Sequence, residues 1–237
     1  MSTPPSPSKI YLALPSYDGT YRTGALVGSL NASRHHDVQA LPGGGSLLPK
    51  CFNQHWATAV SAGKWDLFVM LHADIWPEPF FVDKLVHLLA HHQADVVSCM
   101  VPMKDSRSIY STSMWLPGNL EPHYRLGDED KRNLPGTFSS EHVNRIIGVQ
   151  GQLLVNTGCW IARLRQPWNK QVWFEFTDSI DWDWEGTGEA KVVNVAEDWN
   201  FSKKLHSLGC TVLATQEIAI DHHGNTKWQG RNLSGTG

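Results

Sequence analysis

Leu67-Phe68-Val69-Met70-Leu71-His72-Ala73-Asp74-Ile75 is an apolar run that passes directly into a histidine and a carboxylate two positions apart. An uncharged run of this length reads as a strand buried on both faces, and in open parallel sheets ligands gather at the carboxyl ends of such strands. Side chains alternate across a strand, so His72 and Asp74 share a side if the backbone stays extended for that last step. The pair then offers a metal or phosphate site, set against the plainer reading of two solvated turn residues. Asp74 suits a hard divalent cation, and the imidazole shifts the choice toward Mn²⁺ over Mg²⁺.

Upstream, residues 9–14 read as a first strand, stopped by Pro15 and followed by the turn-rich Ser16-Tyr17-Asp18-Gly19-Thr20. A short helix is expected over 23–31 and a second strand over 37–41, broken by Pro42-Gly43-Gly44-Gly45-Ser46. From Leu48 the residues Leu48, Cys51, Phe52, His55, Trp56, Ala59 and Ala62 recur at the spacing of one helical face, ending at Gly63. Downstream, Pro77 is expected to open a helix whose stripe is Phe81, Leu85, Leu88 and Leu89, and 96–100 a fourth strand. Strand and helix thus alternate over the first hundred residues, which predicts a parallel sheet with right-handed crossovers.

Regularity then fails. Residues 104–145 carry three prolines and the charged run Gly127-Asp128-Glu129-Asp130-Lys131-Arg132, too long for an idle connection and read as a lid or acceptor-binding excursion. Strands are expected again at 152–155, closed by Asn156-Thr157-Gly158, then at 192–196, 211–214 and 218–220. Glu197-Asp198 opens a helix that sets Trp199, Phe201, Leu205 and Leu208 against Gly209. Acidic residues are favoured at a helix start without any function; the catalytic alternative has Asp198 accept a proton from an attacking hydroxyl. Asp221-His222-His223 supplies late imidazoles, of which one at most faces any given site.

The chain has 237 residues, 41% of them apolar, enough for one large core. A formal charge of -3 and a pI near 6.4 give no global basic field for DNA, RNA or an anionic membrane. The start of the sequence is Pro/Ser-rich rather than basic-then-apolar, and no apolar run reaches spanning length, so a cytoplasmic protein without a membrane span is expected. Four cysteines, Cys51, Cys99, Cys159 and Cys210, lie in apolar contexts without zinc or disulfide spacing and read as reduced core residues. Among eleven tryptophans, Trp115, Trp168, Trp173, Trp182, Trp184 and Trp228 stand in polar surroundings, where they either stack on sugar rings or pack under loops. Gly43-Gly44-Gly45-Ser46 lacks the Gly-Lys-Ser/Thr of a nucleotide triphosphate loop and reads first as a loop at the sheet edge.

Taken in order, Pro15-Ser16-Tyr17-Asp18, Leu71-His72-Ala73-Asp74-Ile75, Asn156-Thr157-Gly158, Glu197-Asp198-x-x-Phe201 with Leu208-Gly209, and a terminal histidine resemble a GT-A-fold glycosyltransferase, akin to family 2 and its phage-type relatives. The resemblance implies an α/β, Rossmann-like three-layer sandwich with a mostly parallel central sheet. It implies residues 1–8 as a disordered tail and 9–225 as one domain, with a donor half at 9–103 and an acceptor half at 104–225. Residues 226–237 are then a polar tail. His72-Ala73-Asp74 takes the place of the family's Asp-x-Asp, a histidine standing where the first Asp is usual. Asp74, His222 and His72 become the metal residues, Asp198 the base, and Pro15, Ser16, Tyr17 and Asp18 the nucleotide pocket. Asn53-Gln54-His55 stands where relatives often carry an Arg-Asn pair.

The implied activity is metal-dependent transfer of a sugar from a nucleotide-diphosphate donor, a UDP-sugar first, to the hydroxyl of a glycan or other acceptor, with inversion favoured. Modified DNA is a possible acceptor that the charge does not indicate. The alternatives are a non-catalytic glycan-binding module, to which the tryptophans point, a nucleotidyltransferase, whose basic Gly-rich signature is absent, and a metal-dependent hydrolase.

Overall fold

Strand Leu67–Leu71 (β3) is buried along its whole length, as its uncharged sequence requires, and the rest of the molecule is arranged about it. The computed structural model describes residues 7–104, 107–116, 123–183, 186–223 and 227–230; residues 1–6, Pro117, Pro122 and Trp184 lie outside these, as does the side chain of Trp228. Parallel to β3 run Lys9–Ser16 (β1) and, outside it, Asp37–Gly44 (β2). On the other side Cys159–Arg163 (β10) pairs antiparallel with β3 and with Val96–Cys99 (β5). Val212–Thr215 (β13) continues the sheet parallel to β5, and Thr137–Phe138 (β8) closes it antiparallel. The order β2-β1-β3-β10-β5-β13-β8 gives a mostly parallel seven-stranded sheet.

Helices cover both faces, which makes the three layers expected of the GT-A class. Leu48–Ala62 (α2) buries Cys51, Phe52, His55, Trp56 and Ala59 and is capped by Gly63 in the left-handed conformation, φ 64°. With Glu197–Ser207 (α6) it borders one core, in which Trp56, Phe68, Trp160, Phe174 and Phe201 pack ring against ring. Phe81–His91 (α3) drives Phe81, Leu85, Leu88 and Leu89 into the second core across the sheet. Thr23–Leu30 (α1) packs its Gly24 and Gly28 so closely on Trp76 and Pro77 that a Cβ would come within 2.6 and 2.8 Å of those side chains.

The described residues of the excursion form regular elements. Ile109–Trp115 (β6) pairs with His123–Gly127 (β7) and with Gln152–Leu154 (β9). Asp128–Asn133 (α4) and Ser140–Ile147 (α5) flank this small sheet, and the charged run is held within it, Asp130 accepting from the Tyr124 hydroxyl at 3.0 Å and from Gly127 N–H at 2.8 Å. Thr177–Asp181 (β11) and Lys191–Val195 (β12) form a hairpin ahead of α6. Ile75–Pro77 (β4), Ile220–His223 (β14) and Lys227–Gly230 (β15) form a third small sheet, so part of the stretch expected as a polar tail is a paired strand.

Several sequence expectations are corrected. The backbone does not stay extended through His72: Ile75 N–H donates to His72 C=O at 3.1 Å, a turn that sends β4 away from the central sheet. Pro77 ends β4 instead of opening the helix. The second strand runs through Pro42 to Gly44, which an edge strand tolerates because the proline's missing N–H breaks no interior ladder. Residues 152–154 join the excursion, and the central strand, Cys159–Arg163, follows the Asn-Thr-Gly turn instead of preceding it. Trp168 is buried on Trp56, so packing explains it, whereas Trp182 is 74% exposed. All four cysteines are buried and free. Among the described residues no helix is long and apolar enough to cross a membrane.

Candidate functional site

At the carboxyl ends of β1 and β3 lies a cleft of about 200 Å³ lined by Pro15, Ser16, Tyr17, Asp18, Thr20, Arg22, Leu48, His72, Ala73 and Asp74. It unites two sequence segments more than fifty residues apart because β1 and β3 are neighbours in the sheet. The loop after β1 is self-braced. Ser16 Oγ donates to Thr20 C=O at 2.6 Å, and Asp18 Oδ1 accepts from Thr20 N–H at 2.9 Å and Thr20 Oγ1 at 2.6 Å. Those bonds from Thr20 hold the Asp18 carboxyl below its ordinary range. Tyr17 stands 64% exposed at the mouth. Arg22 N–H donates to Ala73 C=O at 2.9 Å, pinning the start of α1 to the His-x-Asp turn.

The late histidine reaches this turn through the small sheet. In the β14–β4 register His222 lies opposite Ile75, and His223 N–H donates to Asp74 C=O at 2.8 Å. His222 Nδ1 lies 2.7 Å from Pro102 C=O, which can only accept, so Nδ1 carries the proton. In the neutral ring Nε2 is then a bare lone pair, 3.6 Å from Asp74 Oδ2. A lone pair facing a carboxylate calls for a cation between them, and a ring oriented by a backbone carbonyl is how metal-binding histidines are held. Asp74 and His222 therefore fit Mn²⁺ or Mg²⁺, although among the described residues no group of three His, Cys, Asp or Glu side chains is gathered around one point.

In this structure the cation on Asp74 is Lys104, whose Nζ makes an ion pair with the same Oδ2. Burial alone would push the Asp74 carboxyl up; the His222 ring, when it carries a second proton, and the Lys104 ammonium outweigh it and hold it well below the carboxylate range. His72 is placed differently. Its N–H donates to Gly158 C=O at 2.8 Å, its ring lies 4.9 Å from that of Phe52, and its Nε2 is covered with no hydrogen-bond partner. Desolvation pushes its pKa down to about 4, so the ring is neutral. His223 turns its ring toward Trp76, away from Asp74's carboxylate, as neighbouring strand residues must.

Asp198 sits in the first turn of α6, and a hydrogen-bond chain ties that turn to the cleft. Ser202 Oγ donates to Asp198 C=O at 2.7 Å and accepts from Val155 N–H at 3.0 Å; Val155 leads into the Asn156-Thr157-Gly158 turn that holds His72. The Asp198 side chain keeps an accessible edge but is otherwise enclosed. That desolvation, with the Glu197 carboxylate beside it, pushes its carboxyl up to about 7, while Trp199 N–H and the Arg125 charge pull the other way. A carboxylate poised there can take a proton near neutral pH. Trp199 lies against His123, ring centroids 4.2 Å apart, and Arg125 against Trp199, so the excursion's β7 walls this side.

Two positions singled out in the sequence are structural. Asn53 clamps the backbone of Phe174 through Nδ2 to C=O at 2.7 Å and N–H to Oδ1 at 2.8 Å, and His55 Nδ1 meets the Tyr11 hydroxyl at 3.0 Å. Gly43 belongs to this packing, since a Cβ there would lie 2.3 Å from His55 Nε2. Sequence reasoning missed Thr20, Arg22, Pro102 and Lys104. Only position carried a signal for the last two, which follow β5 at its carboxyl end, where ligands of parallel sheets are met.

No protein-family description matches the sequence, and no curated protein matches it. Among solved structures, A197 from STIV is similar with a TM-score of 0.55 at 11% identity, over 91% of this chain and 86% of that one. S. aureus TarS 1-349 aligns at 11% identity and a TM-score of 0.43, over 87% of this chain and 57% of that one. Its complex with UDP-GlcNAc aligns at 12% and 0.41. At such identity the likeness to A197 establishes a shared fold, and the chemistry rests on this chain's own residues.

Proposed function

We propose that this protein is a glycosyltransferase that moves a sugar from a nucleotide-diphosphate donor, a UDP-sugar first, to an acceptor hydroxyl in a reducing, cytoplasmic setting. The observation that carries the reading is the single cleft in which the loop after β1 and the His-x-Asp turn meet, with His222 delivered opposite Asp74. Tyr17 and the braced Asp18 loop hold the base, Ser16, His72 and Ala73 line the way to the diphosphate, and Asp74 with His222 would hold a divalent cation, His72 standing beside them. That cation, Mn²⁺ or Mg²⁺, would supply positive charge to the departing diphosphate. Asp198 takes the proton of the acceptor hydroxyl as that oxygen attacks the anomeric carbon. The bond to the diphosphate breaks in the same displacement, with inversion. The acceptor, a glycan in the first instance, lies on the side formed by residues 104–225, where Trp199, Trp115 and the exposed Trp173 offer apolar ring surfaces.

Calorimetric titration of UDP into the protein with and without Mn²⁺ tests the donor side. Binding is expected to strengthen with Mn²⁺ in the wild type and to lose that enhancement in Asp74→Asn, because diphosphate and carboxylate repel unless a cation lies between them. Equal affinity in all four titrations removes the metal assignment.

A further inference from the structure

Lys104 is not explained by the chemistry above. Its ammonium occupies the very oxygen, Asp74 Oδ2, that faces His222 Nε2. A lysine and a divalent cation cannot share that oxygen without strong mutual repulsion, so metal entry must expel the ammonium. Its backbone cannot follow. Val101 C=O accepts from Ser111 N–H at 2.9 Å and from Ser111 Oγ at 3.0 Å, Met103 N–H donates to Ile109 C=O at 2.9 Å, and Pro102 bridges to Tyr110. The stem is thus anchored beside Asp74, and the expelled ammonium, on its flexible four-carbon chain, sweeps only the mouth of the same cleft.

Charge decides what it meets there. Asp18 and Asp74 on one side of the count and Arg22 and Lys104 on the other cancel, so the metal-free cleft presents no net attraction to a polyanion. Once a divalent cation has taken over Asp74, both Lys104 and Arg22 face the cleft as positive groups unopposed by it, flanking the space in which phosphates would lie.

We infer that Lys104 is a two-position residue: it guards Asp74 as a built-in cation when the site is metal-free, and on metal entry it swings to a phosphate oxygen of the nucleotide diphosphate. The inference rests on the proposed donor site and makes metal and diphosphate binding mutually reinforcing, since each removes what opposes the other.

Lys104→Met separates the two positions because they respond with opposite sign. Mn²⁺ titrated alone into the variant should bind several-fold more tightly than into the wild type, a competitor having been removed. UDP titrated into the Mn²⁺-saturated variant should bind about tenfold more weakly, for loss of a charge-assisted bond, while uridine, without phosphates, binds both proteins alike. Lys104→Arg should recover most of the UDP affinity. Tighter Mn²⁺ with unchanged UDP affinity reduces Lys104 to a placeholder and overturns the inference, as does weaker UDP with unchanged Mn²⁺ affinity. A wild type that binds neither Mn²⁺ nor UDP sinks the donor site itself, a separate failure seen before any variant is made.

Discussion

Asp74 and Asp198 carry the same side chain into opposite settings. Asp74 lies at the end of a turn, paired with the Lys104 ammonium, and is kept ionised; Asp198 lies in an enclosed helix start beside another carboxylate and is pushed up to about 7. Pairs of titratable groups driven apart in this way mark a division of labour. In the proposed reaction the region of Asp74 stays negative and holds positive charge, and that of Asp198 gains and loses a proton near neutrality. The contrast is one of surroundings, since the first faces a cleft lined by polar loops and the second a wall of Trp199, His123 and Arg125.

The sharpest way to break the contrast is Asp198→Asn. Turnover should fall on the order of 10²-fold or more with donor affinity unchanged, read by transfer assay and calorimetry side by side. Donor affinity collapsing together with turnover would move Asp198 to the donor side and erase the division. Wild-type transfer should rise with pH as Asp198 loses its proton around 7, and Glu197→Gln should shift that rise to lower pH with little loss of maximal rate, because the Glu197 charge is part of what raises Asp198. On the other side of the comparison, His222→Ala should weaken Mn²⁺ binding by about tenfold or more, and His223→Ala far less. Equal, negligible losses would leave Asp74 with Lys104 as its sole cation.

The smallest effect is on stability, and its sign differs between the two sites. Asp198 has a folded pKa above its unfolded value of about 3.9, so its contribution is full below that value and lost as pH rises toward 7. Asp198→Asn should therefore unfold at higher temperature than the wild type near pH 8, by the equivalent of about 1–2 kcal/mol, with the gain vanishing near pH 4. Asp74 is depressed, so its contribution is present above the unfolded value and lost as pH falls through the acid range. Asp74→Asn should lose stability at neutral pH, by under about 1 kcal/mol given its exposure. Thermal unfolding at three pH values checks both, and shifts of the same sign would refute the opposed settings.

How much of this was readable in the chain divides at residue 100. Before it, the elements announce themselves locally: the stripe of α2, Gly63, the five buried residues of β3 and the stripe of α3 follow from local periodicity. After it, partners are distant. Nothing local distinguishes Cys159–Arg163, the central antiparallel strand, from Gln152–Leu154, which joins the excursion, because both are short apolar runs on either side of one turn. The site divides likewise. Pro15 through Asp18 and His72 through Asp74 were legible as strand ends, whereas the pairing of His222 with Ile75 and the arrival of Lys104 depend on strands that only long-range register brings together.

The edges of the central sheet bear on how the molecule behaves in company. An open strand is an invitation to a second chain, since its free N–H and C=O groups can template another ladder. Here one border, β2, ends in Pro42-Gly43-Gly44, where the proline has no N–H to give. The opposite border, β8, is two residues long. On one border the proline interrupts the row of donors and on the other the row is two residues long, so a second chain arriving at either edge of the central sheet meets an interrupted or short template.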